Sequence, residues 1–384
     1  MPKLHRAYPM LLTGVLLIAG CGAEPESTTE STSPATQKPS ITESSPPTPP
    51  EEPQDEPTVT IEDLAPIELG SAEVIAEGLE TPWSVVFAGE TPILTERDNA
   101  RIVALKDDGT VRELTTVEQT DPGGEGGLLG LAISEHQLFA YLTSAHDNRV
   151  LAFEISGEAD ALELGEPEVL LEGIPASDYH NGGRLAIGPD DMLYITTGDA
   201  LEPSGSQDLD SLAGKILRIS PTGDIPEDNP FENSPVYSYG HRNPQGMAWA
   251  ADGTMYSSEF GQDDWDELNI IEAGGNYGWP EVEGIANHDD YIDPIQQWTP
   301  ADASPSGIEI NEGTLLMAAL RGERLWEIPL ANHATSSAHF VYEYGRMRDV
   351  ATAPDGSIWI LTSNTDGVGT PTSQDDRIIR IELE

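Results

Sequence analysis

Leu185-Ala186-Ile187-Gly188-Pro189-Asp190-Asp191-Met192-Leu193-Tyr194-Ile195-Thr196-Thr197-Gly198 holds the fold in miniature. A short apolar run meets a tight Pro-Asp-Asp turn, and a second apolar run ends in hydroxylated and small residues. Apolar runs of this length, rich in β-branched and aromatic residues and bounded by turn formers, read as a pair of strands. The same unit recurs at Trp83 to Glu96, Leu128 to Ser144, Met247 to Glu259, Thr314 to Leu330 and Val350 to Ser363. Several copies lead into a third strand: Arg101-Ile102-Val103, Arg149-Val150-Leu151, Lys215-Ile216-Leu217-Arg218 and Arg377-Ile378-Ile379-Arg380. Past residue 70 no stretch shows a good amphipathic helical period. Six copies over roughly 313 residues leave about 52 residues each, the size of a four-stranded blade. Radial closure buries the faces of such sheets against their neighbours and leaves only short edges. A pair of stacked sheets would not need six similar units. The expectation is an all-β, six-bladed β-propeller with four-stranded antiparallel blades over 71–384.

The N-terminal seventy residues differ in kind. Lys3, His5 and Arg6 precede an apolar run from Met10 to Gly20 that is too short to span a bilayer, the pattern of a signal peptide. It ends in Leu17-Ile18-Ala19-Gly20-Cys21, similar to a bacterial lipobox, and Cys21 is the single cysteine of the chain. Residues 1–20 are therefore expected to be removed and Cys21 lipidated, placing the protein in the bacterial cell envelope with a membrane contact through the anchor alone. From Gly22 to about Val59 the chain is Ser, Thr, Pro and Glu with almost no large apolar residue, and 21–70 is expected to be a disordered tether.

Sixty-eight Asp and Glu stand against eighteen Lys and Arg, a formal net charge of −50. Binding to a phosphate backbone is excluded as a function. High solubility after export and adaptation to salt both account for the imbalance. Against this background the arginines are informative, because they fall in the segments between strands. Arg242 lies in Gly240-His241-Arg242-Asn243-Pro244-Gln245-Gly246, Arg321 follows Ala319-Leu320, and Arg346 and Arg348 flank Met347. Propeller loops converge on the central channel, so this placement suggests an anionic ligand at its mouth, held by guanidinium forks suited to carboxylates. Arg184, in His180-Asn181-Gly182-Gly183-Arg184, is expected to be a structural ion-pair partner. His180, in a glycine-rich loop, is the best candidate for a general base near neutral pH. Glu259-Phe260-Gly261-Gln262-Asp263-Asp264-Trp265-Asp266-Glu267 is dense in oxygen donors that suit a hard cation such as calcium, without the ligand spacing of an EF-hand.

Taken together, these motifs resemble the soluble pyrroloquinoline-quinone-dependent glucose/sorbosone dehydrogenases and their aldose dehydrogenase relatives. The resemblance runs from about Ile75 to the C-terminus. It rests on Gly124 to Gly130, His180 to Leu185, Gly214 to Arg218, Gly240 to Gly246, Asn276-Tyr277-Gly278-Trp279-Pro280 and Arg346 to Val350, in order and at blade spacing. It implies oxidation of aldose sugars at the anomeric carbon to lactones, with pyrroloquinoline quinone (PQQ) and Ca²⁺ as cofactors and an electron acceptor that is not identified. His180 matches the general base and Arg242 the arginine beside the quinone oxygen. Asn243, Arg321, Arg346 and Arg348 match cofactor contacts, Arg321 standing where the family has lysine. The carbonyls of Gly261 and Gln262 match those holding the bridging calcium, Gln262 standing where the family usually has proline. Glu267 and Tyr277 match a second calcium site. On the substrate side Glu125 replaces a glutamine, Tyr179 replaces an aspartate, and Trp298 corresponds across a gap to a sugar-stacking tryptophan. A calcium lactonase-like hydrolase would lack the arginine cluster. A non-catalytic hedgehog-interacting-type propeller would lack the base or the paired arginines.

Overall fold

The computed structural model describes residues 64–134 and 136–384. These residues form six antiparallel sheets. Strands Pro82–Ala88, Thr91–Glu96, Arg101–Leu105 and Val111–Thr116 make the first blade. Leu128–Ile133, Gln137–Thr143, Asn148–Ser156 and Glu168–Ile174 make the second, with the short strand Glu163–Leu164 added at its edge. Leu185–Ile187, Leu193–Thr197, Lys215–Ile219 and Val236–Tyr239 make the third. The fourth comprises Pro244–Trp249, Met255–Glu259, Asp266–Ile271 and Gln296–Trp298, and the fifth Pro305–Asn311, Thr314–Ala319, Arg324–Pro329 and Ser337–His339. In the sixth, Met347–Thr352, Ile358–Thr362 and Ile378–Leu383 are completed by Leu69–Ala76 from the start of the folded region. The first strands of consecutive blades touch in turn, and the sixth touches the first, which closes the ring.

Each blade needs apolar residues on both faces, and alternation along a strand supplies them. Ile358 and Ile360 pack toward the fifth blade, whereas Trp359 and Leu361, on the same strand, pack toward the first. One apolar cluster fills every junction between neighbouring blades.

The repeat reading of the sequence is one strand late in the fifth blade. Thr314 to Leu330 covers its second and third strands, and the first strand is Pro305–Asn311. Ser306, Gly307 and Glu309 break the apolar character of that strand, so the run Leu315-Leu316-Met317 set the frame. The arginine-led runs do form third strands, in the first, second, third and sixth blades.

Antiparallel pairing puts the start of each first strand and the end of each second strand at the same rim of the channel. In five blades the first strand carries a register shift near its start, for example between Met347 and Asp349, which pair with Thr362 and Leu361. A bulge of this kind re-aims side chains at the rim.

Candidate active site

Glu125, Tyr179, His180, Arg242, Asn243, Gly261, Arg346 and Arg348 lie in the segments at that rim, and Cys21 lies outside the described residues. His180 sits in the loop between the second and third blades, at a left-handed backbone angle (φ 60°). Its loop is tied down by the buried Asn181, whose amide donates to the Ser177 carbonyl (2.8 Å) and accepts from Ser177 N (3.1 Å) and Asn148 Nδ2 (3.0 Å). Gly198, after the second strand of the third blade, lets the two segments meet: a Cβ there would stand 1.9 Å from the His180 carbonyl oxygen.

The next residue, Asp199, completes a pair that sequence reasoning missed. His180 Nδ1 lies 2.8 Å from Asp199 Oδ1, and Asp199 is fully buried. The same carboxylate accepts from Leu201 N (2.9 Å) and Trp279 Nε1 (2.9 Å). Burial alone would raise its pKa, but His180 and these donors outweigh burial and hold it below the ordinary carboxylate value. Asp199 also donates its N–H to the Arg242 carbonyl (2.7 Å), so base, carboxylate and arginine are one connected unit. Gly198-Asp199-Ala200 carries no motif of its own. Only its place opposite a candidate histidine marks it.

Arg242 and Asn243 follow the outer strand of the third blade. One carboxylate, Glu259, accepts the backbone N–H groups of both and bonds His241 Nδ1 at 2.8 Å. The Arg242 guanidinium lies over the Trp279 ring (5.6 Å to the centroid), and Nη1 donates to the Phe260 carbonyl at 3.3 Å. Its Nε and the Asn243 Nδ2 are buried with no partner. Burial disfavours the Arg242 charge more than Asp199 and Glu259 restore it.

Beside this unit opens a cavity of about 230 Å³ lined by Arg97, Glu125, Tyr179, Arg346, Arg348 and Asp366, among others. Arg346 and Arg348 face the Asp366 carboxylate there, and Arg97, paired with Asp98 (2.6 Å), reaches the Asp366 main chain. Arg346 donates twice to Asp366 Oδ2 (2.9 and 2.8 Å), Arg348 Nη2 stands 3.9 Å from it, and Arg97 donates to the Asp366 carbonyl (3.3 Å). Arg348 is 5 % exposed and its Nε has no partner. Burial pushes its pKa down to about 9, and Asp366 offsets only part of that cost against the repulsion of Arg97 and Arg346.

Arg184 is an ion-pair partner, as its position suggested, bonded to the buried Asp349 at 2.9 Å and stacked on Trp83. Arg321 is exposed, next to Leu320, which lines the cavity. Arg97, just after the first blade's second strand, is a further cation in the lining that the sequence did not single out. One assignment needs correction. Trp298 is on the outermost strand of the fourth blade, the position farthest from the channel, and packs in the core against Trp326 (5.7 Å). The tryptophans near the site are Trp83, which lines the cavity, and Trp279, which bonds Asp199.

The loop after the fourth blade's second strand is turned inward by its N–H groups. Glu283 Oε1 accepts from Gln262 (2.6 Å), Asp263, Asp264 and Trp265 (each 3.1 Å), and Asp266 accepts from Gly261 (2.9 Å). No described donor takes the Gly261 or Gln262 carbonyl, which leaves two oxygens of the kind a calcium ion requires. Glu267 faces Glu259 across paired strands, and burial together with that neighbour pushes its pKa up. Its oxygens accept from Gly284 N (2.7 Å) and Asn269 Nδ2 (3.2 Å). The Tyr277 hydroxyl is spent on the Ile270 carbonyl (2.7 Å) and Glu272 N (2.8 Å), so a second cation would rest on Glu267 and main-chain oxygens. Among the described residues no group of three or more His, Cys, Asp or Glu side chains is arranged to hold a metal.

A closed six-bladed propeller with a half-buried histidine on a buried aspartate and an arginine-lined cavity at one rim defines a class of channel-mouth enzyme. Residues 79–370 match the model of the glucose/sorbosone dehydrogenase family, and the chain belongs to that family. It is 32 % identical to quinoprotein glucose dehydrogenase B of Acinetobacter calcoaceticus over 57 % of this chain and 54 % of that one. Aldose sugar dehydrogenase YliI of Escherichia coli is 26 % identical over 77 % of this chain and 91 % of that one. The PQQ-bound aldose sugar dehydrogenase of Streptomyces coelicolor is 47 % identical, with a TM-score of 0.79 over 83 % of this chain and all of that one.

Proposed function

We propose that this protein is a PQQ- and calcium-dependent aldose dehydrogenase, oxidising the anomeric carbon of aldose sugars to lactones. The observation that carries the proposal is the arginine set lining one cavity, with an unpartnered donor on Arg348 there and others on Arg242 and Asn243 beside it, next to a histidine oriented by an ionised aspartate. Unpaired buried donors are costly unless a ligand meets them. A planar tricarboxylate of modest size is such a ligand.

When bound, PQQ supplies a two-electron acceptor for a hydride. Arg348, Arg97 and Asn243 would hold its oxygens, and the Gly261 and Gln262 carbonyls would hold calcium beside it. With Asp199 ionised, Nδ1 of His180 carries the proton and Nε2 is free to act as base. His180 Nε2 takes the proton from the anomeric hydroxyl as the C1 hydrogen leaves with its electron pair, and the imidazolium so formed rests against Asp199. Arg242 contributes a fixed positive charge in a site where burial strengthens electrostatic interactions.

Cys21 and the segment around it lie outside the described residues. We propose export and lipid attachment on the strength of the lipobox alone. No helix among the described residues is long and apolar enough to cross a membrane.

Titration of PQQ into the apoprotein with calcium tests the site directly. Stoichiometric binding should raise the melting temperature, since a ligand at about 100 times its Kd adds roughly 2.7 kcal/mol to stability. Absence of saturable binding would overturn the assignment.

A further inference from the structure

Lys215, the first residue of the third blade's third strand, is fully buried, and among the described residues it has no ion-pair partner. A buried ammonium is tolerated only where its protons are bonded. Here Nζ donates to three main-chain carbonyls, those of Gly205 (2.8 Å), Ser206 (3.0 Å) and Ala213 (2.6 Å). All three belong to 198–214, the irregular segment between the second and third strands of the blade. Burial pushes the Lys215 pKa down to about 8, and Asp208, an exposed acid of the same segment, offsets only part of that. Near neutral pH the ammonium therefore keeps the three protons that the carbonyls accept.

The clamped segment carries part of the site. Asp199 is followed in it by Ala200 and Leu201, two non-glycine residues in left-handed conformations (φ 50° and 62°). Such a turn is strained and persists only where its surroundings hold it. This turn brings the Leu201 N–H onto Asp199 Oδ1 (2.9 Å), the oxygen that His180 Nδ1 also meets. Farther along, Ser206 Oγ donates to the His241 carbonyl (2.6 Å), next to Arg242, and Gln207 Nε2 donates to the Trp279 carbonyl (2.7 Å). Trp279 Nε1 in turn donates to Asp199 Oδ2 (2.9 Å). Resting on the aldose dehydrogenase reading above, we infer that Lys215 is a positioning residue for the reaction: one ammonium draws the two limbs of 198–214 together and so fixes Asp199, and through it the His180 imidazole, at the channel mouth. Its three protons are spent on carbonyls, so it acts through the segment alone.

Lys215→Met keeps most of the side chain's length and removes its charge and its donors. With the quinone-loaded variant, kcat for glucose should fall by about ten- to a hundredfold, the scale of a small misplacement of reacting groups. Quinone Kd should change by less than about threefold, because Arg97, Arg346 and Arg348 belong to the first and sixth blades. In the apoprotein, the downfield proton resonance of the His180–Asp199 hydrogen bond, identified by its loss in Asp199→Asn, should broaden or vanish. Ile216→Val, a packing change in the same buried strand, is the control: it lowers the melting temperature and should leave rate and resonance as in wild type. Wild-type kcat and resonance in folded Lys215→Met would overturn the inference, as would an equal loss of both in Ile216→Val. If Lys215→Met does not fold, Ser206→Ala decides, since it removes only the bond to the His241 carbonyl: a smaller fall in kcat is expected, and an unchanged kcat would overturn the inference. If quinone-loaded wild type oxidises no aldose, the dehydrogenase reading fails, and the resonance alone decides whether Lys215 positions the pair.

Discussion

Replacing Asp199 by asparagine should leave a folded protein whose kcat falls by about 10²-fold or more, because the imidazole loses the partner that sets its tautomer and stabilises its charge. His180→Ala should cause a similar loss, with quinone affinity nearly unchanged. Rapid-mixing turnover together with quinone titration checks both, and loss of cofactor with an intact rate per bound cofactor would contradict them. Asp199 also sets a pH limit. Its folded pKa lies below the unfolded value, so its stabilising contribution is complete above the unfolded value and disappears as pH falls through the folded one. The arginines separate in the same way. Arg348→Ala removes a buried cation with a free donor and should weaken quinone binding by about 1.5–3 kcal/mol, roughly 10- to 150-fold in Kd. Arg346→Ala takes away the closest partner of the buried Asp366, so its melting temperature should fall as well. His180, Arg242 and the arginine pair were legible in the sequence, because rare residue types in dense loop motifs stand out in an acidic chain. Asp199 and Arg97 were not: each is one polar residue after a second strand, and only closure of the ring brings them to the site. Trp298 misled because an aromatic side chain carries no mark of which strand of a blade it occupies.

At the scale of elements, the alternation of apolar residues over short runs was enough to count six blades, since every strand must satisfy two interfaces. The closing strand was harder to read. Leu69–Ala76 is far in sequence from Ile378–Leu383, with which it pairs, and pairing across that distance leaves no local signal. Bulges at the starts of five first strands were equally invisible, because a register shift is a relation between two strands rather than a property of one. The closing strand makes a prediction. A chain beginning at residue 64 should melt in one cooperative step, whereas a chain beginning at residue 77 should lose that transition, having left the last blade with an open edge and two apolar faces uncovered. Calorimetry on the two truncations decides it. A cooperative melt for the shorter chain would mean that the ring does not depend on this closure.

For the whole molecule, the charge of −50 sets how the protein responds to salt. Raising sodium chloride from about 0.1 to 1 M shortens the screening length from about 10 to about 3 Å. Self-repulsion over the acidic surface should fall, and the melting temperature should rise. A melting temperature that falls with salt would show that local ion pairs, not the global field, dominate stability. The same field opposes any anionic ligand, so binding of a tricarboxylate at the channel mouth must rest on contacts with the arginines there. The most direct test of that arrangement is turnover. Purified apoprotein is loaded with PQQ and calcium and assayed for dye reduction against a panel of aldoses, with NAD and FAD in parallel. Aldose-dependent reduction with PQQ alone among the three cofactors, abolished in His180→Ala, is the expected result. Tight PQQ binding with no reduction by any aldose would contradict the account and leave a propeller that binds the quinone without using it.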